Sequence, residues 1–471
     1  MYKKISIDNH HRNKDSNHVH KTELALPAGE QKIARSKIIK AVLAYQTPLY
    51  IYDAGVLQQQ YQTLAHLLQP YAEIFYSMKA NPNLSICRLF KKMGAGLEIC
   101  SLFELKAAMK LAFPRKSIIF VGPAKTDDEI RLCLTYGIYA IVCESFREYE
   151  RIARIATELG IEAHVALRIN PIFSSKTALL KMGGKPSQFG IDEELVFNNI
   201  KFFQQFPVIK LIGLHVYNGT RILDAETIYE NTKEIVQLAR RFEKAFSMSL
   251  SMLDIGGGLG IPYYEGENPI DLTRLHTLII PELKQFIDDH IDTRLILESG
   301  RFLMGYTGAF VAQVVDVKPS KGELFIITDG GMNCHMAASG MNTLMRKNFP
   351  IRLISMTSSS KRKNSSETKK THHPIEILVN EALVYSETTA KLKYQITGPL
   401  CTPGDVIGKD VLLPLVNIGD LIVIDHSGAY GPTASPVSFL SHGFPAEILI
   451  DQNLIQLIRK HDAADDIFRN Q

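Results

Sequence analysis

The sequence predicts an α/β protein: a closed (β/α)8 TIM barrel over residues 48–308, followed by an antiparallel β-domain over residues 309–471. Two observations carry this prediction. Short apolar, β-branched runs recur at 72–78, 96–99, 117–120, 139–142, 163–169, 210–216, 250–254 and 293–297, with helical patterns filling most of the gaps. After about residue 309 the helices stop and strand-like runs follow one another directly. A doubly wound sheet competes for the first pattern, but it seldom runs eight such units without a switch in spacing.

Taken in order, residues 1–21 are polar and His-rich and read as a disordered tail; His10, His11, His18 and His20 leave metal binding as a minor option. Periodicity does not place residues 22–47. Between the barrel strands, LFELKAAMKLAF, DDEIRLCLTYG and ESFREYERIARIATELG are typical of the helical stretches. The β-domain is built from FVAQVVDV, ELFIITD, EILVNEALVY, KLKYQIT, DLIVID and AEILI, with a hairpin around Asp451-Gln452-Asn453. Residues 357–373, TSSSKRKNSSETKKTHH, read as a flexible solvated insertion, with docking of an acidic partner as the alternative.

Composition removes several functional classes. Hydrophobic residues make up 45% and charged residues 22%, as in ordinary globular chains. A net charge of +4 is too mild to point to a nucleic-acid or membrane partner. No apolar run approaches the ~20 residues of a spanning helix, and the first residues, MYKKISIDNHH, lack the apolar core of a secretory signal. Six cysteines without a CxxC pair argue against zinc or disulfide frameworks and for a reducing cytoplasm.

In a barrel, chemistry collects where strands end and βα-loops begin. The first strand ends FYSMKANPN, placing Lys79 at the mouth; a strand-end lysine is also an ordinary solvated cap. The sixth ends LHVYNGT, with His215, Tyr217 and Thr220, and the eighth ends LESGRF, with Glu298, Gly300 and Arg301. The seventh ends LDIGGGLG, where Gly256, Gly257 and Gly258 leave backbone N–H groups open to an anion, or merely make a tight, closely packed turn. Rossmann and P-loop readings fail, because Ile261 stands where a third glycine belongs and no GK[ST] follows. Pyridoxal phosphate explains the combination: it needs a lysine for its Schiff base, a phosphate cradle and a charged partner for the pyridine nitrogen. Lys79, the glycine loop and Glu298 supply these in turn, and the strand ends lack metal-ligand clusters.

The motifs FYSMKAN, GLEICSLFEL, GLHVYNGT, DIGGGLG, ESGRFLMG, DGGMN, GPLCTPGD and GAYG also stand in the order of a known family. From Thr47 onward the chain resembles the fold-type III pyridoxal-phosphate decarboxylases, diaminopimelate decarboxylase above all and ornithine decarboxylase more distantly. That resemblance implies an alanine-racemase-like architecture in which the N-terminal segment, residues 22–47, joins the β-domain. It also implies Lys79 as the Schiff-base residue, with His215, Tyr217, Thr220, Gly257, Gly258, Glu298, Gly300, Arg301 and Tyr430 around the cofactor. Cys401 is implied as the residue that controls proton return to Cα, reaching into the neighbouring subunit's site of a head-to-tail homodimer. Asp405 belongs to the same loop.

Some positions depart from the diaminopimelate pattern. Tyr217 replaces the histidine that stacks on the ring, Thr220 replaces a serine, and Ser299 replaces a proline. CTPGD replaces CESGD, so Thr402 stands where the family places a glutamate that reads the charged far end of the substrate. Arg346 stands at about the distance of the family's carboxylate-binding arginine. With FLSHGFPAE (Phe439 to Glu447), these features resemble a side branch acting on amino acids tethered to a carrier protein or built into siderophore or antibiotic intermediates. The expected activity is therefore a carboxy-lyase acting on an amino acid or its conjugate. The rivals are diaminopimelate decarboxylase itself, an amino-acid racemase and a non-catalytic cofactor-binding protein.

Overall fold

A computed structural model describes residues 32–173, 180–181, 183–340, 347–356 and 391–469. The tail at 1–21, the insertion at 357–373, the run EILVNEALVY and Arg346 lie outside the described residues.

The strands are β1 (Leu49–Asp53), β2 (Glu73–Ser77), β3 (Gly96–Ile99), β4 (Ile118–Phe120), β5 (Ala140–Cys143) and β6 (Ala163–Asn170). The short β7 (Leu180–Lys181), β8 (Ile191–Asp192) and β10 (Gly219–Thr220) accompany β9 (Ile209–His215), and β11 (Met252–Asp254) and β12 (Arg294–Ser299) follow. Eight parallel strands run in the order β5-β4-β3-β2-β12-β11-β9-β6, and β5 pairs with β6 to close the barrel. These are the eight apolar runs of the sequence. Buried on both faces, such strands read as continuous hydrophobic stretches, as AIVC of β5 does. Local capping starts the helices between them: Ser101 accepts from Glu104 N–H, Ser145 from Glu148 N–H, and Thr126 forms a capping box with Glu129. Among the described residues, no helix is long and apolar enough to cross a membrane.

The second sheet holds β13 (Gly308–Ser320), β14 (Glu323–Thr328), β15 (Ile351–Ile354), β16 (Leu392–Thr397), β17 (Val406–Leu413), β18 (Leu421–Ile424), β19 (Ala446–Asp451) and β20 (Leu454–Arg459). The hairpin expected near Asp451 is present, with Asp451 opposite Leu454. Two expectations need correction. The sheet is mixed rather than antiparallel throughout, because β1 pairs in parallel with β19 and β14 with β16. Residues 49–53, read as the start of the barrel, pair with β13 and β19 in this sheet instead. Their run LYIYD is buried on both faces, which is why it imitates a barrel strand. Leu49 and Ile51 face Ile38, Ala41 and Val42 of the helix Arg35–Tyr45, while Tyr50 and Tyr52 face the large core shared with the barrel. That alternation follows from the two-residue period of a strand.

Candidate active site

Lys79 owes its position to a short turn. After β2 the chain makes one 3₁₀ turn, Met78–Ala80, burying Met78 and Ala80 and turning Lys79 toward the barrel mouth. Asn81 secures the turn, its carbonyl accepting from Tyr76 Oη at 2.8 Å, and Asn83 then caps the helix Leu84–Met93. Lys79 Nζ donates to Glu98 Oε1 on β3 at 3.0 Å, and Cys100 Sγ donates to the same oxygen at 2.8 Å. Burial works against the Lys79 ammonium. The negative charge of Glu98, with Cys100, Glu298 and Tyr430, outweighs it and holds the lysine pKa well above its usual value.

Glu298 lies on β12, two strands from His215 on β9, with Asp254 of β11 between them. His215 Nε2 meets Glu298 Oε1 at 3.2 Å, and both side chains are buried. Burial alone would raise the Glu298 pKa, but the His215 contact and the charges of Lys79 and Arg168 lower it, so the carboxylate is favoured. The glycine loop packs directly on this strand. A Cβ on Gly257 would stand 1.9 Å from the Glu298 carbonyl oxygen, and one on Gly258 would stand 2.4 Å from the Gly219 carbonyl oxygen. Gly258 also adopts φ +92°, which favours glycine. At Gly300 a Cβ would come within 2.8 Å of Ala80 Cβ, so the ESGR turn locks onto the Lys79 turn.

Arg301 closes the far wall. Its Nη1 donates to Tyr263 Oη at 3.1 Å, and its guanidinium carbon lies 4.6 Å from the centre of the Tyr430 ring. Its Nε is buried without a hydrogen-bond partner among the described residues. Tyr430 has φ +54° and donates its N–H to the Ala80 carbonyl at 2.8 Å, tying the second sheet to the Lys79 turn. Burial pushes the Tyr430 phenol up to about 12, against the pull of Arg301.

A cavity of about 460 Å³ brings together Lys79, His215, Tyr217, Thr220, Glu298, Arg301 and Tyr430. That volume suits a small cofactor with part of a substrate. Lys79 Nζ lies 5.9 Å from the Tyr217 ring centre. A larger cavity of about 800 Å³, walled by Tyr263, Tyr264, Phe302 and Phe349, contains none of these groups. Cys401 does not line the smaller cavity; it is exposed. Thr402 is half-buried in the same loop, its Oγ1 accepting from Gly404 N–H at 3.4 Å. The Asp405 carboxylate is taken up by backbone, accepting from Met332 N–H in the segment after β14 at 2.6 Å and from Leu400 N–H in its own loop at 2.7 Å.

Sequence reasoning carried Glu98 and Cys100 only within the motif GLEICSLFEL, without a role, and it missed Asp254 and Tyr263. The strand-end rule that found Lys79 applies equally to Glu98 and Asp254 and is the signal that was there to use.

A model of the pyridoxal-binding domain of pyridoxal-dependent decarboxylases matches residues 54–305, more than half the chain. The chain belongs to the pyridoxal-dependent decarboxylases. This decarboxylase is 34% identical over 438 residues to the L-glutamyl-[BtrI acyl-carrier protein] decarboxylase of Niallia circulans, covering 93% of the chain and 96% of that protein. It is 29% identical over 425 residues to the 2-[(L-alanin-3-ylcarbamoyl)methyl]-2-hydroxybutanedioate decarboxylase of Staphylococcus aureus, covering 88% and 97% respectively. Its fold matches that of diaminopimelate decarboxylase from Helicobacter pylori complexed with L-lysine at a TM-score of 0.77 and 28% identity, covering 92% of this chain and 98% of the other. The decarboxylase is thus a carboxy-lyase that uses pyridoxal phosphate. Its residues fit that cofactor: a lysine and a buried carboxylate share one cavity with an arginine whose Nε has no partner among the described residues, and the glycine loop packs against the strand that carries Glu298.

Proposed function

We propose that this decarboxylase removes the α-carboxylate of an amino acid whose far end is neutral and extended, carried on a carrier protein or within a larger conjugate. The observation behind the site assignment is the convergence of Lys79, Glu298, Arg301 and Tyr430 on one cavity. Lys79 would anchor the cofactor as a Schiff base, and Gly257, Gly258, Gly300, Arg301, Thr220 and Tyr430 would hold its phosphate. Tyr217 offers a ring face for stacking. Glu298, backed by His215, would face the ring nitrogen, where an ionised carboxylate would favour the protonated ring. Bound pyridoxal phosphate supplies the sink for the electron pair that the departing carboxylate leaves behind. Trapping with borohydride followed by peptide mapping tests the anchor: label on Lys79 is expected, and an unlabelled Lys79 in the cofactor-loaded protein refutes it.

Proton return to Cα falls to Cys401. Because Cys401 lines no part of its own chain's Lys79 cavity, this reading needs a homodimer in which the Leu400–Asp405 loop of one copy covers the cavity of the other. Thr402, Asp405 and Arg346 belong on the substrate side of that shared site. The cytoplasm is the proposed compartment, in keeping with six unpaired cysteines.

The substrate assignment rests on Thr402, which carries no charge for an ammonium-bearing far end. The Niallia circulans and Staphylococcus aureus relatives support it, since both names describe amino acids joined to a larger group. Free diaminopimelate is the second reading, favoured by the likeness to the Helicobacter pylori enzyme. Turnover of a glutamyl-loaded carrier protein, measured as released CO₂ beside free diaminopimelate, separates them. Efficient, selective lysine production from diaminopimelate refutes the carrier-bound reading.

A further inference from the structure

Behind the cavity, His215, Asp254 and Glu298 bring their polar atoms within 4.8 Å of one another from three neighbouring strands. All three are buried, Asp254 completely. Their hydrogen bonds are unevenly shared. His215 Nε2 meets Glu298 Oε1, and Asp254 Oδ1 accepts the Gly256 N–H at 2.8 Å. Asp254 Oδ2 and His215 Nδ1 have no partner among the described residues.

An ionised carboxylate oxygen sealed from water and left unpaired is strongly unfavourable, and a second carboxylate close by makes it worse. A proton on Oδ2 removes both costs and turns that atom into a donor beside Glu298. We propose that Asp254 is a positioning residue: as the neutral acid it acts with His215 to hold the Glu298 carboxylate in one orientation toward the cofactor's ring nitrogen. The proposal rests on Glu298 facing that nitrogen. The groups that face Asp254 are Glu298 from β12, His215 from β9, Glu98 from β3 and Lys79 from the turn after β2. Burial and the Glu298 charge both push the Asp254 pKa well above its usual value, against the Gly256 hydrogen bond and the Lys79 charge. Gly256 earns its place here twice, since it supplies the N–H and a Cβ on it would meet the Val216 carbonyl oxygen at 2.4 Å.

The test titrates the full-length protein, stripped of cofactor, with pyridoxal phosphate, reading affinity and the absorption band of the bound form. D254N keeps an acceptor for Gly256 and replaces the O–H with N–H donors; it is expected to bind within about threefold of wild type with an unchanged band. D254V, which removes donor and acceptor, is expected to bind at least about tenfold more weakly with a shifted band. D254N as weak as D254V would show that the anion is what matters, and D254V indistinguishable from wild type would show no action on Glu298; either overturns the proposal. An infrared difference spectrum of wild type minus D254N at neutral pH needs no folded D254V. It should contain the C=O stretch of a protonated carboxyl, and a carboxylate signature in its place overturns the proposal too. E298Q separates the two layers of the argument. An unchanged E298Q band defeats the Glu298 assignment and the proposal with it, whereas a shifted one leaves any failure at Asp254 to stand alone.

Discussion

Lys79 and Cys401 are the two side chains assigned to bond-making chemistry, and their surroundings differ in kind. Lys79 stands in a cavity walled by five barrel strands and the Tyr430 loop, with Glu98 at 3.0 Å and its backbone turn clamped by Gly300. Cys401 sits exposed on a loop whose Asp405 carboxylate is spent on the backbone N–H groups of Met332 and Leu400. One half of the site is therefore preorganised within a single chain. In the proposed homodimer the other is a loop presented outward, with Cys401 outside the Lys79 cavity of its own chain. Cofactor chemistry needs the first arrangement, since fixed dipoles and charges are worth most where water is excluded. Substrate selection suits the second, because an exposed loop changes residues such as Thr402 without disturbing a core.

The largest effect that sharpens this contrast is the loss of Lys79. K79A is expected to lower kcat by about 10³-fold or more and abolish the Schiff-base absorption; CO₂ release and a visible spectrum check it. C401A should cost about 10²-fold in kcat, in the range of a lost general acid, while keeping the cofactor spectrum. Mixed copies of K79A and C401A should exceed the activity of either alone, since in the proposed homodimer one of the two shared sites of each mixed pair would be intact. Failure to exceed either would break the contrast by placing both residues in one chain's site.

Next in size is G257A. A Cβ at 1.9 Å from a carbonyl oxygen forces the loop away from β12, at a cost of roughly 1–3 kcal/mol with about tenfold weaker cofactor binding. Melting and fluorescence titration measure the two parts. D405A should lose roughly 1–3 kcal/mol by orphaning the Met332 and Leu400 N–H groups, yet leave the cofactor band unmoved. A shifted band would show that the two regions are coupled within one chain.

The smallest effect concerns pH. His335 follows Met332 in the same segment, fully buried, its Nε2 at 2.9 Å from Ser427 Oγ. Burial lowers its pKa from 6.5 to about 3. The unfolded chain therefore binds a proton below pH 6.5 that the folded chain refuses. Stability should fall as pH drops from about 6.5 toward 3, by at most about 1.4 kcal/mol per pH unit from this residue. Chemical denaturation across that range should show a shallower slope in H335Q.

How much of this was legible follows from where each residue's partners lie. The eight barrel strands announced themselves, because a strand buried on both faces has to be apolar throughout. The boundary placed at residue 48 took β1 into the barrel, although its run LYIYD serves two different cores. β17 escaped notice since VIGKDVLL breaks its alternation, with Asp410 at φ +55° and register shifts against β16. Lys79 and the glycine loop could be read from strand ends and motif order. Asp254 stands at a strand end as Lys79 does, but its partners His215 and Glu298 are remote in sequence and meet it only when the barrel closes, so its role was not legible.

β1 lies between β13 and β19, with Leu49 opposite both Val311 and Ala446. During synthesis this early strand must wait, with one edge bare, until Ala446 has left the ribosome. The barrel strands can associate before then, but the sheet that carries Tyr430 to the Ala80 carbonyl cannot be completed. A nascent chain stalled before β19 should therefore lack the completed sheet from which Tyr430 reaches the Ala80 carbonyl, and is expected to hold pyridoxal phosphate less well than the full chain.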